Sequence, residues 1–155
     1  HGAALGSRPA RGQRPSLPRE AGTPAPVGRG EQQPALPAFD LSSDELLGVC
    51  NLTQVTRGIL QACTLGYSLA AHHQGRGLMR EIAGACVAHA FDGLGLHRVM
   101  ANYLPENDRS ARLLASLGFQ VEGQARKYLK IDGVWRDHVL TALIDPRADD
   151  ASSRP

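Results

Sequence analysis

A glycine-rich turn lies between two patterned segments near the middle of the sequence. An apolar run, Leu65 to Ala71, leads into Gln74-Gly75-Arg76-Gly77, and an amphipathic helical pattern begins at Leu78. We therefore predict a strand, a tight turn and a helix N-terminus. The first helical N–H groups have no internal partners, and the helix dipole adds positive charge there. This pattern predicts a phosphate or pyrophosphate site, although an ordinary strand-to-helix turn looks the same locally.

The residue types in this turn suit an anion. Gly75 and Gly77 have no Cβ, so the backbone can approach a phosphate closely. Arg76 adds a positive charge at the rim. His72 and His73 come just before the turn, where a general base would be misplaced, and we interpret them as surface or supporting side chains.

The first 37 residues differ in composition from the rest of the chain. They hold seven of the ten prolines, five arginines, two acidic residues and no aromatic residue. Such a segment cannot bury enough apolar surface to offset its ordering entropy, so we expect residues 1–37 to be disordered. No aromatic residues interleave the arginines, so a solvated arm is favoured over a nucleic-acid-binding arm. The chain starts at His1 and not at Met, which suggests a fragment, a processed product or a wrong start.

Several classes of protein are disfavoured by the sequence. No stretch approaches the roughly 20 apolar residues of a membrane span, and the N-terminus lacks the apolar core of a secretory signal. Cys50, Cys63 and Cys86 are odd in number and widely spaced, which argues against disulfide and zinc frameworks. We therefore expect no metal and a cytoplasmic location.

The globular part is expected to span residues 38–146, followed by a disordered end at 147–155. Short turns, including Asp132-Gly133, predict two hairpins. The resulting order of elements predicts an α/β domain with a mixed sheet. The predicted elements are strands at Leu46–Val55 and Gln61–Ala71, a helix at Leu78–Leu94, a strand at Arg98–Leu104, a helix at Arg109–Leu117, and strands at Phe119–Ile131 and Val134–Leu143.

Five short motifs follow one another along this domain. They are Gln74 to Gly77, Gly95-Leu96-His97-Arg98-Val99, Pro105-Glu106-Asn107-Asp108-Arg109-Ser110, Leu117-Gly118-Phe119, and Tyr128 to His138. The series resembles the GNAT superfamily of N-acetyltransferases, and within it the RimJ/RimL type of ribosomal-protein alanine N-acetyltransferases. The resemblance covers roughly residues 39–144. It implies a GNAT-like mixed, mainly antiparallel sheet with flanking helices.

The resemblance implies transfer of an acetyl group from acetyl-coenzyme A to an N-terminal amine by direct attack. It implies that the strand ending at Ala71 separates from Arg98–Leu104, and that the pantetheine lies in the gap. The pyrophosphate would contact the N–H groups of residues 74–79. The implied cofactor-binding residues are Leu69, Ala70, Ala71, Gln74, Gly75, Arg76, Gly77, Leu78, Met79, Asn107 and Ser110.

Asn107 and Ser110 match the N-x-x-S motif of the family. The resemblance gives Asn107 a hydrogen bond to the pantetheine arm, and gives Ser110 contact with the thioester sulfur as a possible proton donor to the leaving thiolate. A simple helix cap by Asn107 or Asp108 is an equally good interpretation of Asn107. Tyr103, just before this loop, could point into the same opening or lie in the core.

The attacking amine must lose a proton, directly to a side chain or through water. Glu106, Glu122 and Asp137 are candidate general bases by residue type. Glu122 is preferred if its strand faces the cleft, while a solvated surface carboxylate is the simpler interpretation of each one. None of the cysteines has a neighbouring base evident in the sequence, which disfavours an acyl-cysteine route.

The N-terminal part departs from the family pattern. In the family that the sequence resembles, the domain begins with a strand, two helices and a further strand, and those helices form one wall of the acceptor site. Pro/Arg/Gly-rich residues hold that place here, up to about Phe39. We therefore expect an N-terminally truncated domain with an exposed apolar patch that favours self-association.

Two functions of different class follow. The first is an acetyltransferase acting on the N-terminal alanine of a ribosomal protein, with no membrane or direct nucleic-acid partner. The second is a non-catalytic module that binds coenzyme A or a ribosomal partner without turnover. Acetylation of another amine is a further alternative, because acceptor choice depends largely on the missing wall.

Overall fold

Seven strands and two α-helices are present in the part of the chain that this computed structural model describes, namely residues 3–5, 36–40, 43–69 and 77–148. The strands form one sheet. The elements are β1 (Ala3–Leu5), β2 (Leu36–Asp40), β3 (Leu46–Thr56), β4 (Ala62–Leu69), α1 (Leu78–Ala88), β5 (Arg98–Tyr103), α2 (Asp108–Ser116), β6 (Gln120–Ile131) and β7 (Val134–Ile144).

The sheet has the strand order β1-β2-β3-β4-β5-β7-β6. Five of its neighbouring pairs are antiparallel, and the β4–β5 pair is parallel. A parallel pair needs a long crossover, and α1 supplies it. The predicted α/β class and the mixed, mainly antiparallel sheet are confirmed.

The two predicted hairpins are also confirmed. β3 and β4 pair antiparallel, from Gly48 opposite Leu69 to Thr56 opposite Ala62. β6 and β7 pair around a turn in which Asp132 has φ 49° and Gly133 has φ 81°. Positive φ at both central residues is the geometry of a type I′ turn, whose twist matches that of the flanking strands.

The helix predicted at Leu78–Leu94 forms in two parts. The α-helix α1 ends at Ala88, and a π-helical turn continues it over His89–Gly93. The backbone N–H of Leu94 donates to the carbonyl of His89 at 3.0 Å, which closes this wider turn. The predicted apolar stripe lies on the buried side of α1, where Ile82, Ala83, Cys86 and Val87 are buried.

Both α-helices contribute to the same hydrophobic core. In the sheet, alternate residues of the central strands enter that core because successive side chains point to opposite faces. The largest fully buried side chains are Leu52, Ile82, Leu96, Leu114 and Val99. We call the side of the sheet that carries Leu65 and Val99 the helix face.

The expected disorder of residues 1–37 is not what the structure shows at either end of that segment. Ala3–Leu5 forms β1, and Leu36 and Pro37 belong to β2, with Ala3 opposite Asp40 and Leu5 opposite Ala38. Strand pairing uses backbone groups, so a segment of poor apolar content can still extend a sheet. Residues 6–35 lie outside the described residues. At the other end, Arg147 forms ion pairs with Asp92 and Asp145, and residues 149–155 are outside the description.

No helix within the described ranges is long and apolar enough to cross a membrane. Large exposed apolar side chains lie in the β3–β4 turn and on the β6–β7 hairpin, and they include Ile59, Val121, Tyr128, Val134 and Trp135. Self-association through an apolar surface stays a prediction.

Candidate active site

A gap opens between β4 and β5. The two strands are paired only from Ala62 opposite Arg98 to Thr64 opposite Met100. Beyond that point β4 continues to Leu69 while it pairs with β3 alone. The described backbone of β4 therefore has one unpaired edge along the gap, with N–H and C=O groups available to an extended ligand. The expected separation of these strands is confirmed.

The helix after the glycine turn begins at Leu78. Gly77 precedes α1 with φ 71°, a left-handed conformation that favours glycine. Leu78 and Met79 form the first turn of α1, where the N–H groups lack helical partners. Ala70, Ala71, Gln74, Gly75 and Arg76 lie outside the described residues, so most of the predicted pyrophosphate site stays a prediction.

Asn107 and Ser110 are brought together at the N-terminus of α2. The Asn107 side-chain oxygen accepts a hydrogen bond from the Ser110 backbone N–H at 3.1 Å, so Asn107 caps the helix. An N-cap satisfies one of the free N–H groups of the first turn. The capping interpretation is thus confirmed, and the cap fixes Ser110 in the first turn of the helix.

Tyr67 reaches Ser110 from β4. Its hydroxyl donates to Ser110 Oγ, and the two oxygens are 2.9 Å apart. Tyr67 lies opposite Cys50 in the β3–β4 register and packs against the core, which places it on the helix face. Burial raises the pKa of Tyr67, although the bond to Ser110 partly opposes this. The hydroxyl therefore stays protonated, so it can donate to Ser110 Oγ.

Glu122 is not brought together with Ser110. Arg98 binds its carboxylate with both terminal nitrogens, and the Glu122 side chain is 43% exposed. Arg98 alternates along β5 with the buried residues Val99 and Ala101, so it lies on the face opposite to the helices. The hydrogen bond from Arg98 lowers the pKa of Glu122. A lowered pKa makes the carboxylate a weaker base.

The other two candidate bases are engaged as well. Arg136 pairs with Glu106, and hydrogen bonding lowers the pKa of Glu106. Asp137 accepts the backbone N–H of Lys127 at 2.8 Å. Each carboxylate thus has a structural partner, and the structure singles out none of them as a base.

The three cysteines are buried. Burial raises the pKa of Cys63 to about 12, and a hydrogen bond to Cys86 together with burial raises the pKa of Cys50. A thiol must ionise to act as a nucleophile, so burial makes Cys50 and Cys63 poor nucleophiles, whereas the hydrogen bond from Cys50 lowers the pKa of Cys86. Within the described ranges, no cluster of three or more His, Cys, Asp or Glu side chains could hold a metal.

Sequence reasoning missed Tyr67. It named Tyr103 as the tyrosine near the opening, while Tyr67 was only part of an apolar strand pattern. The signal available in the sequence was alternation, because Cys63, Leu65 and Tyr67 share one face of β4. Its contact with Ser110, 43 residues away, could not be read from that pattern.

Residues 29–120 match the family described as acetyltransferase (GNAT) domain. The chain is 52% identical over 108 residues to the ribosomal protein uS5-alanine N-acetyltransferase of Escherichia coli (strain K12). That match covers 70% of this chain and 56% of the relative. The chain therefore spans little more than half the length of this curated relative.

Two solved acetyltransferase structures also resemble the chain, and the chain again covers only part of each. The ribosomal-protein-S5-alanine acetyltransferase from Vibrio fischeri matches with a TM-score of 0.69 and 39% identity, covering 72% of this chain and 61% of that one. RimJ of Mycobacterium smegmatis, in complex with CoA-disulfide, matches with a TM-score of 0.65 and 35% identity, covering 71% and 53%.

Proposed function

We propose a function from the premise that this chain belongs to the acetyltransferase (GNAT) domain family. The chain carries the cofactor half of an N-acetyltransferase that moves an acetyl group from acetyl-coenzyme A to the N-terminal alanine of a ribosomal protein. The 52% identity to a uS5-alanine N-acetyltransferase is the observation that carries this proposal. The cytoplasm is the proposed location.

The gap between β4 and β5 supports the choice of cofactor. The free edge of β4, which ends at Leu69, offers backbone groups that can pair with the amide groups of a pantetheine arm. The N-terminus of α1, which follows Gly77, offers unpartnered N–H groups for a pyrophosphate. Both features lie on the path that the family resemblance implies for coenzyme A.

Ser110 is the proposed proton donor. The nitrogen lone pair of the acceptor amine attacks the thioester carbonyl carbon, so that a C–N bond forms and the C–S bond breaks. Sulfur leaves with the electron pair of the broken bond, and the proton that it gains balances the one that nitrogen loses. The Ser110 hydroxyl supplies the hydrogen bond to the departing sulfur.

The attacking amine must also lose a proton. The ion pair of Glu122 with Arg98 weighs against Glu122 as the base. Glu106 and Asp137 have partners of their own. Proton loss through water satisfies the same requirement without a dedicated carboxylate.

A non-catalytic role is the second candidate. The chain covers only 56% of its ribosomal acetyltransferase relative. A chain that holds coenzyme A or contacts a ribosomal partner, but does not complete the acceptor site, would bind without turnover.

Two measurements on the purified chain separate these functions. Calorimetry with acetyl-coenzyme A tests binding. Mass spectrometry tests acetyl transfer to a peptide with the N-terminal sequence of uS5, with an N-terminally blocked copy as control and spermidine as a competing amine. Binding with transfer to the free peptide alone supports the enzyme, and binding without transfer supports the module. A chain that binds no acetyl-coenzyme A contradicts both functions.

A further inference from the structure

Two hydrogen bonds converge on Ser110 from different parts of the fold. The side-chain oxygen of Asn107, the N-cap of α2, accepts the backbone N–H of Ser110 at 3.1 Å. Tyr67, on the strand that borders the gap, donates to its side-chain oxygen at 2.9 Å. The residue at the start of α2 is thus tied to β4 as well as to its own helix.

The bond from Tyr67 restricts where the Ser110 proton can point. A serine hydroxyl has one proton to donate and two lone pairs that accept. One lone pair is occupied by the Tyr67 hydroxyl, so the Ser110 proton must be directed away from Tyr67.

We propose that Tyr67 is a positioning residue that orients the Ser110 hydroxyl as a hydrogen-bond donor toward the sulfur of bound coenzyme A. This inference rests on the proposed function, because it assumes that coenzyme A lies in the gap. It adds a role for β4 beyond the backbone contacts that the family resemblance implies. Tyr67 itself need not touch the sulfur.

The surroundings of Tyr67 suit this role. Burial of the phenol keeps the hydroxyl neutral, so it remains a donor across the physiological pH range. The ring packs against the core and lies opposite the buried Cys50, which holds the hydroxyl in place. A phenol fixed in this way loses little conformational freedom when it binds Ser110.

The test measures how strongly the chain distinguishes coenzyme A from desulfo-coenzyme A, which lacks the sulfur atom. Calorimetry gives the two dissociation constants, and their ratio reports the hydrogen bond to sulfur. In the unmodified chain we expect coenzyme A to bind about 5-fold more tightly, the effect of one hydrogen bond. Tyr67→Phe and Ser110→Ala should each reduce the ratio to below about 2-fold, and the double variant should lose no more.

Tyr128→Phe is the control, because it removes a tyrosine hydroxyl from the β6–β7 hairpin, where Tyr128 is 44% exposed, and should keep the full ratio. If Tyr67→Phe retains the ratio, the inference is wrong whether or not the chain transfers an acetyl group. If the ratio falls as expected in a chain that transfers no acetyl group, the inference stands and the proposed enzyme does not. Ser110→Ala leaves Tyr67 in place, so it still tests the hydrogen bond should Tyr67→Phe fold poorly. A chain that binds neither ligand overturns the inference together with the proposed function.

Discussion

The two faces of the sheet hold their polar side chains in different ways. On the helix face, Tyr67, Asn107 and Ser110 are partly buried and are joined by hydrogen bonds between uncharged groups. On the opposite face, Arg98 and Glu122 form an ion pair at the surface. The first group is fixed by packing around it, whereas the second depends mostly on charge.

This difference decides which group can support chemistry. A partly buried hydroxyl whose partners are fixed keeps one orientation, because moving it would leave polar groups unsatisfied. An exposed ion pair is screened by water and salt and contributes little to stability. The contrast favours Ser110 over Glu122 as a positioned catalytic group, and the following variants test it from the largest expected effect to the smallest.

Leu114→Ala should remove the packing that seats α2. Leu114 is 1% exposed and belongs to the hydrophobic core. Replacement of a buried leucine by alanine costs about 2–5 kcal/mol, so the free energy of unfolding should fall by that amount. Urea unfolding followed by circular dichroism measures it.

Arg112→Ala is the control on the same helix. Arg112 is exposed, and a surface substitution changes stability by about 0.5 kcal/mol or less. If both variants cost the same small amount, α2 is not held by the core and the contrast between the two faces fails.

Asn107→Ala should cost less, about 0.5–2 kcal/mol, because it removes the N-cap of α2. Asn107→Asp keeps an oxygen that can accept the Ser110 N–H, so it should retain most of the stability. The same unfolding experiment, repeated with coenzyme A, distinguishes helix capping by Asn107 from a contact between Asn107 and the cofactor. An additional contact from Asn107 to the pantetheine arm would appear as a smaller stabilisation by coenzyme A in Asn107→Ala than in the unmodified chain.

The order of elements could be predicted from local patterns. Apolar residues three and four apart located α1, and Asp132-Gly133 located the hairpin turn that closes β6 onto β7. These features depend on neighbouring residues, which a sequence displays directly. The N-x-x-S motif likewise placed Asn107 and Ser110 at one helix start, with capping as one of its two interpretations.

Contacts across the fold could not be predicted in that way. Tyr67 meets Ser110 only because β4 and α2 pack on the same face, and that depends on the whole sheet. The ion pair of Glu122 likewise joins two strands that are not neighbours in the sheet, β5 and β6. Alternation along β6 indicates a face for this carboxylate but not its partner Arg98, which lies 24 residues away.

Glu122→Gln should have the smallest effect on stability. The pairing with Arg98 lowers the pKa of Glu122 below its usual 4.5, so the folded state favours the ionised carboxylate. The stabilisation is therefore present above pH 4.5 and is lost as the pH falls below it. Because the pair is exposed, we expect a loss of only about 0.2–1 kcal/mol at pH 7 and low salt, and less at high salt.

Asp132→Asn is the matched control for that change, since it also removes one negative charge from the β6–β7 hairpin while keeping a residue that tolerates positive φ. Urea unfolding at pH 7 and at a pH below 4.5, each with and without added salt, separates the two. Glu122→Gln should show a loss that disappears on acidification, because the Glu122 carboxylate is paired with Arg98. A loss of several kcal/mol for Glu122→Gln, unchanged by salt, would mean that this carboxylate is held as firmly as the Ser110 hydroxyl. The two faces of the sheet would then be alike in rigidity, and Glu122 would again be a candidate for the general base.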